Sequence, residues 1–324
     1  MTAPSRDGAL AVLNGVLGDR LAAQNSPLAM PMQLRHAGRP LVLDAASLAR
    51  SVPAPSDTLL VLVHGLCMHD GQWGDEAHDP GATLARRLGA TSVTLRYNSG
   101  RHISENGRDF ASALDALVAA WPRAVRRLVV VGHSMGGLVA RSACHYAAEA
   151  GYAWPTLDAS LVTLGTPHHG APLERLGNGI DTLLEASRYA APFARLGYLR
   201  SAGVTDLRYG HLLDGDWTGR PRFARGPDTR TPLPLPEGVA CYLVAATTGA
   251  RRRRLRDQTL GDGLVPLDSA LGLHPDPARA LDVPAEQRWV ARGMNHFDLL
   301  RRPEVTEQLR TWLAPGPMPS TTDV

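Results

Sequence analysis

The chain contains no lysine, so arginine alone carries its positive charge. Against 34 basic residues stand 31 acidic ones, and a formal net charge of +3 is too small a surplus to argue for a nucleic-acid partner. The accompanying 25 prolines and 32 glycines mark a compositional bias more than a functional demand. Cysteine is scarce as well. Cys67, Cys144 and Cys241 are an odd number in a long chain, which argues against a disulfide framework and for reduced thiols. No apolar run approaches the length of a membrane span, so no transmembrane segment is expected. Residues 1–30 make a poor signal peptide, because Asp7 comes early and Asn14, Gly15 and Gly18 break the apolar stretch. These absences predict a soluble, cytoplasmic protein and leave its oligomeric state open. What is present is ordinary: 324 residues, 44% hydrophobic and 20% charged, enough to bury a sizeable core.

The most informative stretch is 128–137. Leu128-Val129-Val130-Val131 is a short, β-branched, apolar run, the pattern of a strand buried on both faces. Gly132-His133-Ser134-Met135-Gly136 follows and fits the G-x-S-x-G nucleophile elbow, and from Gly137 onward the chain reads as a helix. Side chains at 132 and 136 would collide with the neighbouring strand and helix, which explains the two glycines. Such a turn lifts Ser134 Oγ clear of the sheet and sets a helix N-terminus under any negative charge formed on attack.

The remainder of the chain alternates in the same manner. Leu10, Leu13, Leu17 and Leu21 form one side of a first helix, expected to pack on the outside of the domain. Residues 33–44 read as a hairpin turning at His36-Ala37-Gly38-Arg39-Pro40. Strands are expected at 58–63, 92–97, 157–164, 239–246 and 288–291, with helices at 81–88, 134–149 and 303–313. Between these, Phe110, Ala113, Leu114, Leu117, Val118 and Trp121 make an amphipathic helical face that Ser104 can cap and Pro122 closes. Alternating strands and helices imply a mostly parallel sheet with helices on both faces. Residues 171–237 interrupt the alternation with a leucine stripe, Leu173, Leu176, Ile180, Leu183 and Leu184, and with apolar bulk that includes Phe193. Arg251 to Arg254 with Arg256 are read as a solvated surface rather than a nucleic-acid patch, having no interleaved aromatics. His168 and His169 lack companion ligands at metal spacing, so no metal site is expected.

Four motifs in order resemble those of the α/β-hydrolase superfamily, with the nearest likeness to bacterial lipases and esterases and to the inositol-deacylase-like branch. They are Val63-His64-Gly65-Leu66, Gly132-His133-Ser134-Met135-Gly136-Gly137, Leu164-Gly165-Thr166-Pro167-His168-His169-Gly170 and Gly261-Asp262-Gly263-Leu264-Val265-Pro266. The resemblance implies an α/β-hydrolase fold and a serine hydrolase that cleaves hydrophobic carboxylic esters. It implies a triad of Ser134, Asp262 and His296, in the chain order of this fold. Asp257 and Asp268 compete for the acid, and His274 and His211 for the base. The amides of Leu66 and Met135 are expected to form the oxyanion hole. His64, Gly65, His133, Leu173, Leu176 and Phe193 are expected against a small-molecule or lipid ester substrate, and no cofactor is required. The implied organisation is an N-terminal helical extension (1–28), a core (29–170 and 238–314), a helical lid (171–237) and a disordered tail (315–324). The same residues would serve acyl transfer or thioester cleavage, and a non-catalytic binding module on the same fold is the alternative of another class.

Overall fold

Successive leucines and valines of the central strands point to opposite faces of the sheet, which assigns them to two cores. A computed structural model of the chain describes residues 6–75, 77–171, 200–223, 226–249 and 261–314. Its strands are β1 (Gln33–His36), β2 (Arg39–Pro40), β3 (Thr58–Val63), β4 (Thr91–Arg96), β5 (Arg127–His133), β6 (Asp158–Leu164), β7 (Val239–Thr247) and β8 (Arg288–Arg292). Among the described residues they form one eight-stranded sheet in the order β2-β1-β4-β3-β5-β6-β7-β8. From β4 to β8 every pairing is parallel, and β1 joins β4 antiparallel.

Leu59, Val61 and Val63 of β3 share one face with Leu128 and Val130 of β5, under helices α4 (Ile103–Ala120) and α5 (Met135–Ala150). Leu60, Leu62, Val129 and Val131 point the other way, towards α3 (Pro80–Leu88) and the closing helix Pro303–Leu313. Every one of these side chains is at most 5% exposed, so each contributes about 1.5–3 kcal/mol of hydrophobic burial. A run of consecutive apolar residues is therefore what a strand covered on both faces requires.

Most helix ends follow local chemistry. Asp79 caps α3 by accepting from Ala82 N, and Gly89 ends the helix in the left-handed region. Gly151 ends α5 in the same way. Three details depart from expectation. Ser104 does not cap α4: it lies inside the helix, and its hydroxyl accepts from Trp217 Nε1. Helix α2 (Ala45–Ser51), capped by Asp44, follows the 33–44 stretch where no element was expected, and the second strand of that hairpin is only Arg39–Pro40. The third is α1 (Arg6–Ala23), which buries not the leucine side but Gly8, Ala11, Val12, Asn14, Gly15, Val16 and Gly18. Leu10, Leu13, Leu17 and Leu21 stay only partly covered. The reason is that other side chains press directly on the helix backbone: a Cβ on Gly15 would collide with Cys67 Sγ, and one on Gly18 with Asn98 Oδ1.

The described part of the insertion, 200–223 and 226–237, holds the short helix α6 (Ala202–Asp206) and an extended return segment. The leucine stripe with Leu173 and Leu176, Phe193, Asp257, the arginine run 251–256 and the tail 315–324 lie outside the described residues. Among the described residues no helix is long and apolar enough to cross a membrane.

Candidate active site

Strand β5 delivers Ser134 at its C-terminal end, between the strand and α5. Ser134 adopts φ 54° and ψ −123°, a region that L-residues rarely enter and that costs about 1–3 kcal/mol. The surrounding glycines make this possible. A Cβ on Gly136 would sit 2.3 Å from Val63 O and 2.6 Å from His64 O. One on Gly132 would sit 2.5 Å from Gly137 N. The turn thus lies directly against the end of β3 and the start of its own helix, and Ser134 N donates to Leu164 O at 2.8 Å to fix it on β6.

Asp262 and His296 reach the same sheet edge from the loops after β7 and β8. His296 Nδ1 donates to Asp262 Oδ2 at 2.6 Å, with both side chains at most 2% exposed. Asp262 Oδ1 accepts from Leu264 N at 2.9 Å and Val265 N at 2.8 Å, and His296 N donates to Asp262 O at 3.2 Å. The carboxylate is therefore fixed by main chain before it meets the imidazole. With Nδ1 directed at Asp262, the remaining nitrogen, Nε2, is the one left to accept a proton or a hydrogen bond. That atom is buried and has no hydrogen-bond partner, Ser134 Oγ included. Both groups hang on the end of β6: Ser134 through Leu164 O, and His296 through Gly165, whose Cβ would lie 3.1 Å from His296 Cε1.

Of the competing residues, His274 stands against His169 at a ring separation of 5.0 Å, and His211 faces Asp206 at 3.6 Å. Neither is paired with Asp262. Asp268 lies in a separate short helix, α7 (Leu267–Ala270).

Two histidines expected against substrate are instead buried supports. His64 is 0% exposed; its Nδ1 donates to Gly65 O at 2.9 Å, and its Nε2 accepts from Tyr97 N at 3.4 Å. The ring stacks on Tyr97 at 4.3 Å, and the Tyr97 hydroxyl donates back to His64 O at 2.8 Å. Burial pushes the His64 imidazole down to about 4, so it stays neutral and its tautomer is set by these bonds. His133 is likewise 0% exposed, with Nε2 donating to His296 O at 3.1 Å. Burial and the nearby His296 hold it well below the usual imidazole range. His64 thus clamps the loop after β3, and His133 braces the backbone of residue 296. Gly65 sits under Ser134, where a Cβ would come 3.1 Å from Ser134 Cβ.

Leu66 follows in that loop, and Met135 is the first residue of α5, where first-turn N–H groups have no intrahelical acceptor. Cys67 holds the loop in a second left-handed conformation, φ 59°, with its N–H donating to Ser99 Oγ at 3.1 Å. Burial raises its thiol to about 12, so it is no nucleophile. Tyr97, Ser99 and Gly15 shape this loop, and nothing in the sequence singled them out. Among the described residues no group of His, Cys, Asp and Glu is arranged to hold a metal ion.

Known proteins share this architecture. Residues 100–202 match the family described as PGAP1-like alpha/beta domain. The mature form of the Bacillus licheniformis lipase BlEst2 superposes with a TM-score of 0.52 at 19% identity, over 80% of this chain and 93% of that one. The chain has the α/β-hydrolase fold. The Staphylococcus hyicus lipase aligns at 15% identity over 80% of this chain and 96% of that one, with a TM-score of 0.42. No curated protein matches the sequence.

Proposed function

We propose that the protein is a serine hydrolase of carboxylic esters. The observation that carries this reading is the Asp262–His296 pair, buried, joined through Nδ1, and presenting an Nε2 without a partner among the described residues at the edge where Ser134 stands on a strained turn. In this reading Ser134 Oγ attacks the ester carbonyl while His296 Nε2 takes its proton. Asp262 orients the ring and stabilises the imidazolium, and the amides of Leu66 and Met135 hold the oxyanion. His296 then passes the proton to the leaving alcohol. A water activated by the same nitrogen cleaves the acyl-enzyme.

Hydrogen bonds between a nucleophile and its base are commonly long before substrate binds and tighten in the reacting complex, so His296 Nε2 remains the base for Ser134 in this reading. The apolar composition of the insertion, with Leu173, Leu176 and Phe193, favours a lid and an ester with a hydrophobic acyl or alcohol group. The likeness of the fold to lipases supports the same class of substrate.

Turnover of p-nitrophenyl esters of graded chain length tests the proposal. Ser134→Ala is expected to lose roughly 10⁶-fold in kcat, and Asp262→Asn roughly 10⁴-fold. A fluorophosphonate should label the wild-type chain once, on Ser134. Wild-type turnover by Ser134→Ala overturns the assignment.

A further inference from the structure

Behind the elbow, two turns along α5 from Ser134, Arg141 is only 3% exposed. Its Nη2 donates to Leu233 O at 2.6 Å and its Nη1 to His168 Nδ1 at 3.2 Å, while Nε is buried without an acceptor. Among the described residues no carboxylate pairs with it. Its charged neighbour is another guanidinium, Arg230, and the adjacent Cys144 and Cys241 thiols are pushed by burial up to about 12 and about 11, so they stay neutral. Arg230 is paired with Asp228 at 3.2 Å, a carboxylate that also serves Arg279 at 2.8 Å, and Arg279 has a second partner in Asp276 at 3.5 Å, so among the described residues Arg141 is the guanidinium left without one. Asp216 directs its oxygens to the main-chain N–H groups of Leu212, Leu213 and Thr231.

Arg141, His168, His169, Arg230, Thr231 and Arg279 line one cavity of about 20 Å³, room for one water-sized particle. Both imidazoles face a guanidinium with Nδ1 as acceptor, His168 toward Arg141 and His169 toward Arg230 at 2.9 Å. Neutral rings of this kind bring no counter-charge. A desolvated guanidinium without a counter-ion is among the most costly arrangements in a protein interior. A water molecule would fill the volume and leave the charge uncompensated. The small volume favours a monatomic anion over a larger oxyanion.

We propose that this cavity binds one monatomic anion of the halide class, chloride in ordinary solution, between the Arg141, Arg230 and Arg279 guanidinium groups. The anion balances the charge buried on α5. It also ties the return segment of the insertion, through Arg230, to the nucleophile helix and to the loop after β6. The site stands apart from the ester chemistry, and its test reads binding rather than turnover.

The test follows the thermal midpoint of the full chain as sodium gluconate is replaced by sodium chloride or bromide at constant ionic strength. A saturable rise with either halide is expected, although bulk bromide acts on proteins in the opposite sense. Crystals grown in bromide should show anomalous density in the cavity. Arg279→Gln, at the cavity wall, should raise the half-saturating halide concentration about tenfold or more, the effect of losing one favourable charge contact. Arg141→Met removes the unbalanced charge and should abolish the response. Should that variant not fold, Arg279→Gln and the bromide density still decide. A wild-type midpoint indifferent to halide, or a bromide map empty at the cavity, overturns the proposal.

Discussion

Two turns of this molecule use the same backbone device and come by it differently. Ser134 in the elbow and Cys67 in the loop after β3 both hold left-handed φ, 54° and 59°, without being glycine. The elbow is supported from within its own motif. Gly132 and Gly136 let the chain touch Val63 O and the start of α5, and the adjacent strand supplies Leu164 O. The Cys67 turn is supported from far away, by Ser99 Oγ, by the stacked Tyr97 and His64, and by the bare backbone of Gly15 on α1. Strain in a short motif can be read from its glycines; strain held by distant partners leaves no local signature.

That contrast can be broken or sharpened experimentally. The largest effect is expected at the elbow: Gly136→Ala places a Cβ against two main-chain carbonyls that cannot move aside, costing about 3 kcal/mol in denaturant unfolding together with ester turnover. An unchanged midpoint would show that the turn is looser than its packing implies.

The next effect is a dependence on pH. His64 titrates near 6.5 when unfolded but near 4 when buried, so the unfolded state takes up its proton first as pH falls. Its contribution is fully present above about pH 6.5 and lost towards pH 4, roughly 3 kcal/mol at 1.36 kcal/mol per unit. The buried His133 and His168, shifted the same way, add to the slope. Urea midpoints across this range should fall, and His64→Gln should flatten the curve. If it does not, the loop after β3 is not held by the neutral ring.

Gly15→Ala tests the distant support directly. The new methyl meets Cys67 Sγ and Cα, and a loss of about 2 kcal/mol is expected, with kcat reduced and KM little changed if the Leu66 amide is displaced. Lost stability at full kcat would separate α1 from the oxyanion loop. The smallest effect is Tyr97→Phe, which removes one buried hydrogen bond to His64 O and should cost about 1 kcal/mol. Together the two variants say whether the Cys67 turn is held more by packing or by its polar contacts.

Much of the fold was legible because its elements are short-range patterns. The closing helix spans Pro303–Leu313 as expected, and β3 covers Thr58–Val63, since proline and apolar periodicity mark those limits locally. The Gly-Asp-Gly turn pointed to Asp262, whose Oδ1 is held by two main-chain N–H groups while Oδ2 meets His296. The errors share one cause. Leucines suggested the buried side of α1, whereas the helix lies so close to Cys67 and Asn98 that only glycine, alanine, valine and asparagine fit. His64 and His133 looked like residues open to substrate because a motif shows adjacency and not direction, and both are buried supports.

The sequence by itself determined the alternation of strands and helices and the tight glycine-flanked turn at Ser134, because periodicity, glycine and turn chemistry act over a few residues. Tertiary structure alone decided which histidines face inward, which side of α1 is covered, and that Arg141 is buried beside Arg230 with no carboxylate of its own among the described residues. Those outcomes depend on which distant main chains come within van der Waals contact and on how few charges remain to balance one another there, quantities that exist only once the chain has closed on itself.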